Sequence, residues 1–135
     1  MGLTHLLDSN ICIYIINQKP PLVRERFKRH RPGDVGLSSI VLAELAYGVS
    51  KSRNVDKNLA ALEVFLADLE VIPFDELAAW RYGSLRVALE RQGKPIGALD
   101  TQIAAHALEL GATLVTNNVG EFSRVEGLKL ENWIG

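Results

Sequence analysis

The chain has 135 residues, of which 47% are hydrophobic and 23% are charged, and its formal net charge is −1. This composition predicts one well-packed globular domain over residues 1–135 and excludes a disordered chain. A nearly neutral chain has no overall attraction for nucleic acid, so any such binding must come from a local basic patch.

In its first half, the chain alternates short apolar strands with helices. The strands are predicted at "LTHLLD" and "DVGLSS", and the helices at residues 10–16, in the basic stretch "PLVRERFKRHR", and at residues 40–50 and 55–69. Apolar residues three and four apart predict the core-facing stripes of the last two helices, which are Leu42, Leu45 and Val49, then Leu59, Leu62, Leu66 and Leu69.

The second half continues the alternation. "EVIPF" is predicted as a strand and residues 75–92 as a helix that faces inward with Ala78, Tyr82, Leu85 and Leu89. The breaker-rich loop "GKPIGALD" precedes the small-residue helix "TQIAAHALELG", which Gly111 ends. The strand "ATLVTNN", a helical turn at residues 120–124 and a last strand, "GLKLENW", are predicted after it. This order predicts an α/β sandwich with a mainly parallel sheet, whose functional residues gather past the carboxyl ends of the strands.

Four acidic residues occupy the positions where such a site is expected. Asp8 ends the first apolar strand, Glu44 interrupts the apolar helix "IVLAELAYG", Asp100 begins the helix after the breaker-rich loop, and Glu121 follows the strand "LVTNN". A buried carboxylate is costly unless it is paired, neutralised or bound to a metal. Mg²⁺ and Mn²⁺ prefer such oxygen ligands, and two such ions can promote hydrolysis of a phosphodiester.

Each acid taken alone also has a purely structural interpretation. Asp8 and Asp100 are both typical N-cap residues of the helices that follow them. Glu44 is compatible with a hydrogen bond between helices, and Glu121 with an acid in the first turn of a helix. Sequence spacing by itself does not show that the four converge.

Histidine and cysteine offer no competing catalytic site. His5 lies in a strand, His30 in a basic stretch expected to be exposed, and His106 in a small-residue helix, so we expect structural or surface roles for all three. Cys12 stands among apolar residues and is expected to be a buried small residue; as the sole cysteine it excludes an internal disulfide. The chain has neither an apolar run of about 18 residues nor a signal-peptide pattern, so we expect a cytoplasmic protein without a membrane span.

Four segments in this order resemble the PIN-domain ribonucleases of the VapC type, which are the toxins of bacterial toxin–antitoxin pairs. The segments are "LLDSNICIYII", "LSSIVLAELAYG", "RQGKPIGALDTQIAAHAL" and "LVTNNVGEFSRVEGLKLENW". The resemblance covers essentially the whole chain. It implies a three-layer α/β/α sandwich with four to five strands, and a Mg²⁺- or Mn²⁺-dependent endoribonuclease that leaves 5′-phosphate and 3′-hydroxyl ends.

The resemblance also assigns the site residues. It implies an acidic triad of Asp8, Glu44 and Asp100, in which Asp8 and Asp100 are metal ligands. The residues implied to orient these carboxylates are Ser9, Asn10, Ser38 and Thr116. Many PIN domains carry an Asp where this chain has Asn118, which supplies no charge. We therefore expect Glu121 to be the fourth acid and Asn118 to be a neutral ligand or orienting group.

The expected partners follow from the same resemblance. They are a cognate antitoxin protein, a structured RNA such as a tRNA, a second copy of the chain, and operator DNA through the antitoxin complex alone. Near the breaker-rich loop, Arg86, Arg91 and Lys94 are candidate phosphate contacts, although a merely solvated helix face has the same pattern. The helices over residues 40–69, with Tyr47 and Val49, are expected to form either an apolar docking groove or plain core.

Two other functions compete with this one. A non-catalytic PIN-like module that binds RNA or protein would be favoured by loss of a triad acid, but all three are present. A phosphatase with Asp8 as nucleophile would require a second Asp two residues later, where this chain has Asn10. No phosphate-binding P-loop or Gly-x-Gly-x-x-Gly pattern occurs.

Overall fold

A computed structural model describes residues 2–134 of the chain. Its strands are β1 His5–Leu7, β2 Val35–Ser38, β3 Glu70–Ile72, β4 Thr113–Val115 and β5 Leu130–Glu131. Its helices are α1 Ser9–Asn17, α2 Pro21–Lys28, α3 Ser39–Ser50, α4 Val55–Leu66, α5 Glu76–Arg91, α6 Ala98–Leu110 and α7 Val119–Phe122. Every predicted element is found, and all five strands are shorter than the stretches that predicted them.

The five strands form one parallel sheet in the order β3-β2-β1-β4-β5. From β1 the chain first adds β2 and β3 on one side, and then adds β4 and β5 on the other. The direction of winding therefore reverses between β1 and β4, which pair with Leu7 opposite Val115. In open α/β sheets, the crevice at the carboxyl ends of such a strand pair is where ligands bind.

The helices cover both faces of the sheet, as a parallel sheet requires. Helices α1 to α4 contact one another, whereas α5 packs along α6. Right-handed crossover connections put these two groups on opposite faces of the sheet. The fold is thus the three-layer α/β/α sandwich predicted from the sequence, and its core contains the fully buried Leu6, Leu37 and Leu114.

Two local predictions about the core need correction. In α4 the buried residues are Leu62 and Phe65, whereas Leu59 is 45% exposed. The helix also ends at Leu66 rather than Leu69. A three-four spacing of leucines is compatible with more than one helix face, and tertiary contacts selected the face that carries Phe65.

Gly111 ends α6 as predicted, with φ of 66° in the left-handed region that glycine adopts without strain. Helix α7 begins one residue before the predicted turn and ends at Phe122. Within residues 2–134, no helix is both long and apolar enough to span a bilayer.

Candidate active site

Asp8 lies at the reversal point of the sheet, directly after β1. Its backbone N–H donates to the Val115 carbonyl at 2.9 Å, which joins the ends of β1 and β4. Its side chain is 7% exposed and accepts two hydrogen bonds, from the Ser9 N–H at 2.7 Å and from the Thr116 hydroxyl at 2.8 Å. Asp8 therefore caps α1, as its structural interpretation predicts, and is at the same time held rigidly at the carboxyl edge of the sheet.

Glu44 approaches the same edge from the middle of α3. The Ser9 hydroxyl donates to Glu44 Oε1 at 2.7 Å, so Ser9 contacts Asp8 through its backbone and Glu44 through its side chain. The hydrogen bond between helices that was the structural alternative for Glu44 is therefore present, and it brings Glu44 toward Asp8.

Asp100 and Glu121 complete the acidic cluster from the other face of the sheet. Asp100 is the third residue of α6, whose N-cap is Gly97, so it is not the cap residue. Glu121 accepts from the Gly97 N–H at 3.2 Å and from the Asn118 side-chain amide at 2.6 Å. The Asn118 N–H in turn donates to the Thr116 hydroxyl at 3.0 Å. A continuous chain of hydrogen bonds thus connects Asp8 with the start of α6.

The charges of these acids act on one another. Burial raises the pKa of Asp8, against the lowering effect of its hydrogen bonds, and the charges of Glu44 and Glu121 raise it further. The pKa of Asp100 is raised to about 6, first by burial and then by repulsion from Glu121, Asp8 and Glu44. Repulsion of this kind acts at short range, which agrees with Glu44 and Glu121 lying near Asp8 and Asp100.

The chemistry of this cluster suits a divalent cation. Within residues 2–134, no Lys, Arg or His side chain forms an ion pair with any of these four acids. The described side chains do not include a group of three His, Cys, Asp or Glu residues already arranged to hold a metal. The fit of Mg²⁺ or Mn²⁺ therefore rests on the oxygen donors and on their uncompensated charge.

Asp100→Asn is expected to stabilise the folded protein at neutral pH. Because the pKa of Asp100 is about 6, above the ordinary 3.8, the folded state binds this proton more tightly than the unfolded state. The stability contributed by this group is therefore highest in acid and falls as the pH rises from about 4 to about 6.

Thermal melts in EDTA at about pH 4 and pH 7.5 measure this effect, since the two values bracket the titration. The variant should melt above the wild type at the higher pH, and the difference should shrink at the lower one. Asp68→Asn, a change at an exposed acid outside the cluster, should show no such pattern. If Asp100→Asn melts below the wild type at pH 7.5, the repulsion described above is wrong.

Two of the predicted orienting residues make other contacts in the structure. Ser38 is fully buried, but its hydroxyl accepts from the Ile40 N–H and so caps α3. Its hydrogen bond is therefore local and does not reach a carboxylate. Asn10 is exposed in the first turn of α1 and lines the groove described below. The geometry supports an orienting role for Ser9, Thr116 and Asn118.

The candidate phosphate contacts lie at the exposed end of α5 and in the loop after it. Arg86 donates to Glu90 at 3.1 Å and to the Tyr82 hydroxyl at 3.0 Å, and these two bonds engage its guanidinium. Arg91 and Lys94 are exposed at the entrance to the loop that leads to Asp100. Sequence reasoning missed two further contacts of this loop, made by the Gly97 N–H and by Arg124.

The remaining reactive residue types stay outside the cluster. Cys12 is fully buried, and this burial raises the pKa of its thiol far above the usual range, so it is no nucleophile. His30 lies beyond the end of α2 and stacks on Trp133, with 5.2 Å between the two ring centroids. It is therefore half-buried, whereas the sequence predicted an exposed residue. His106 is 1% exposed and packs edge-on against Phe74.

A large apolar groove opens beside Glu44. It has a volume of about 860 Å³ and lies between α1, α3 and α4, with Ile13, Leu45, Tyr47, Gly48 and Leu62 among its lining residues. Ser9 and Glu44 also line it, so the groove runs into the acidic cluster. Tyr47 is 65% exposed, whereas Val49 is half-buried.

Comparisons with known proteins agree with this geometry. The model of the family described as "PIN domain" matches residues 5–128. The "tRNA(fMet)-specific endonuclease VapC" of Shigella flexneri is 46% identical over 97% of this chain and 98% of its own length. "Ribonuclease VapC2" of Rickettsia felis is 46% identical over 96% of this chain and 97% of its own length.

Solved structures give the same result. The fold superimposes with a TM-score of 0.90 on a chain of VapBC2 from Rickettsia felis bound to a DNA fragment from their promoter, at 45% identity over 96% of this chain and 98% of that one. A chain of DNA-bound VapBC from Salmonella typhimurium gives a TM-score of 0.91 and 44% identity, over 97% of this chain and 98% of that one.

Proposed function

The chain belongs to the VapC group of PIN-domain ribonucleases, and we propose that it is a toxin that hydrolyses structured RNA with a divalent metal ion. The observation that carries this proposal is the cluster of Asp8, Glu44, Asp100 and Glu121, whose charges repel one another without a basic partner among residues 2–134. Residues 1–135 are proposed to act as one such domain.

Within this proposal the four acids have separate tasks. Asp8 and Asp100 would hold the metal, because both are partly or fully withdrawn from water and destabilised by like charges. Glu44 and Glu121 complete the site from α3 and from α7. A bound Mg²⁺ or Mn²⁺ supplies activation of a water molecule and stabilisation of the leaving oxygen of the phosphodiester. Ser9 and Thr116 keep the Asp8 oxygens fixed, so that this carboxylate does not reorganise during the reaction.

A tRNA is the proposed substrate. The relatives from Shigella flexneri and Salmonella typhimurium, at 46% and 44% identity, both bear the name tRNA(fMet)-specific endonuclease. Arg91 and Lys94 are exposed near the loop that leads to Asp100, and their contact with phosphates would position the RNA without reading its bases. Cleavage of a tRNA would block translation, which is the proposed basis of toxicity in the cytoplasm.

An antitoxin of the VapB type is the proposed protein partner. Several structural relatives are VapBC complexes, and two of them are bound to DNA. The apolar groove beside Glu44 suits an amphipathic helix, and its open end at the acidic cluster favours a basic side chain on that helix. Operator DNA would then be bound by the complex and not by this chain alone.

We also propose that the chain forms a homodimer, as the family resemblance implies. Helix α5 exposes three large apolar side chains at helical spacing, Leu77 at 61%, Trp80 at 73% and Val87 at 43%. Such a stripe is more typical of an interface than of a solvated surface.

Incubation of total RNA with the purified protein tests the proposed activity. We expect discrete fragments with 5′-phosphate and 3′-hydroxyl ends in Mg²⁺ or Mn²⁺, no cleavage in EDTA, and no cleavage by Asp100→Asn. Fragments with 2′,3′-cyclic phosphate ends would contradict hydrolysis and indicate attack by the RNA 2′-hydroxyl. If the folded, partner-free protein cleaves nothing in either metal, the alternative of a non-catalytic RNA-binding or interaction module is favoured instead.

A further inference from the structure

The short helix α7 and the turn after it are anchored in the core by two side chains three residues apart. Phe122 is fully buried and Val125 is 3% exposed. Their neighbours Glu121 and Arg124 are three residues apart and reach the same segment, the loop of residues 93–97 that leads into α6. A rigid support therefore stands beside a loop that is rich in glycine and proline.

Two side-chain hydrogen bonds join this support to the backbone of the loop. Glu121 Oε1 accepts from the Gly97 N–H at 3.2 Å, and Arg124 Nη1 donates to the Pro95 carbonyl at 3.0 Å. One bond uses an acceptor on α7 and the other a donor after it, so together they fix the peptide chain on both sides of Ile96. We call these two bonds the α7 clamp.

The α7 clamp acts on the residue that determines where Asp100 lies. Gly97 is the N-cap of α6 and has no side chain with which to close the helix start. Its carbonyl accepts from the Thr101 N–H and from the Thr101 hydroxyl, both at 2.8 Å, so Gly97 is rigidly connected to the first turn. Asp100 lies within that turn, and a displacement of Gly97 therefore displaces its carboxylate as well.

We propose that Arg124 is a positioning residue for the nuclease, which acts through the Pro95–Gly97 backbone to hold Asp100 against Asp8. This inference rests on the proposed function for its catalytic consequence, but the α7 clamp itself is independent of it. Within residues 2–134, Arg124 forms no ion pair with an acid, and its hydrogen bond to the Pro95 carbonyl is its link to the site.

Arg124→Met tests this role, because methionine keeps the aliphatic chain and removes the donor. Hydrogen–deuterium exchange of the full-length protein, with and without Mn²⁺, should be faster in the peptide that spans residues 95–100. In cleavage of the tRNA substrate, kcat should fall by about 10-fold, at the lower end of the loss typical of groups that orient metal ligands, with KM unchanged. Arg124→Lys, which keeps a donor, should recover part of the exchange protection and part of kcat.

Lys94→Met is the matched control, because it removes a positive charge from the same loop without touching the α7 clamp. It should leave the exchange of residues 95–100 unchanged and should raise KM, as expected for loss of a phosphate contact. Circular dichroism melts of each variant report whether the fold is retained.

Each contrary outcome has a definite meaning. Unchanged exchange in Arg124→Met would overturn the α7 clamp. A rise in KM at constant kcat would show that Arg124 binds RNA phosphate instead of positioning Asp100. If the wild-type protein cleaves no RNA, the proposed function and the catalytic consequence both fail, whereas the exchange result still decides whether Arg124 holds the loop.

Discussion

Asp8→Asn is expected to abolish RNA cleavage and growth inhibition while leaving the protein folded. Loss of a group that merely orients a metal ligand costs about 10- to 100-fold in activity, so loss of the ligand charge itself should cost more. Asparagine keeps an oxygen that can accept from the Ser9 N–H, and its amide can donate to the Thr116 hydroxyl. The hydrogen bond with the Ser9 N–H is therefore preserved, whereas the bond with Thr116 is kept only with its direction reversed.

The stability of Asp8→Asn provides a second readout. Burial, with Glu44 and Glu121 in addition, raises the pKa of Asp8, so the folded state disfavours the charged form of this residue. Removal of the charge should leave the melting temperature at neutral pH unchanged or higher. A loss of cleavage without a loss of stability separates a chemical role from a structural one.

Cleavage rates and thermal melts of the wild type, Asp8→Asn and Asp68→Asn measure both effects. The control variant removes an exposed acid outside the cluster and should cleave as the wild type does. If Asp8→Asn retains cleavage, Asp8 does not belong to the site and the metal assignment would need other ligands.

Thr116→Val is expected to lower activity strongly without abolishing it. The Thr116 hydroxyl is fully buried, donates to Asp8 Oδ2 at 2.8 Å and accepts from the Asn118 N–H at 3.0 Å. Valine matches the shape of threonine but supplies neither bond. Asp8 would lose an orienting donor, with a loss of about 10- to 100-fold in kcat. The unsatisfied groups should also destabilise the fold by about 1–3 kcal/mol.

Thr116→Ser distinguishes the hydroxyl from the methyl group. Serine keeps both hydrogen bonds and loses one buried methyl, so its activity should remain near that of the wild type. The comparison requires kcat and KM at saturating Mg²⁺, together with denaturant unfolding of each variant. Equal losses of activity in the serine and valine variants would assign the effect to packing and would contradict an orienting role.

Much of the site could be predicted because its residue types conflict with their surroundings. A carboxylate at the end of an apolar strand, as at Asp8, is costly to bury and therefore indicates a site. The alternation of strands and helices then predicts that functional residues gather past the carboxyl ends of the strands, whereas the pairing of β1 with β4 is a finding of the structure. Ser9 and Thr116 were identified through the family resemblance, and the hydrogen bonds agree with that assignment.

The contacts that sequence reasoning missed involve backbone groups or compete with local alternatives. Glu121 binds the backbone N–H of Gly97, and Arg124 binds the backbone carbonyl of Pro95. Because nearly every residue carries such backbone groups, the residue types in the loop do not indicate these contacts. Ser38 was expected to orient a carboxylate, yet its hydroxyl caps α3 because the Ile40 N–H lies closer in sequence and needs an acceptor.

By itself, the sequence determined the order of the elements, the buried carboxylate Asp8 and the family, since hydrophobic periodicity and residue type are local properties. The tertiary structure alone decided that Phe65 and not Leu59 enters the core, and that Glu121 faces both Asp100 and Gly97. These outcomes depend on how separate elements pack against one another, and packing selects among orientations that the local pattern leaves equally favourable.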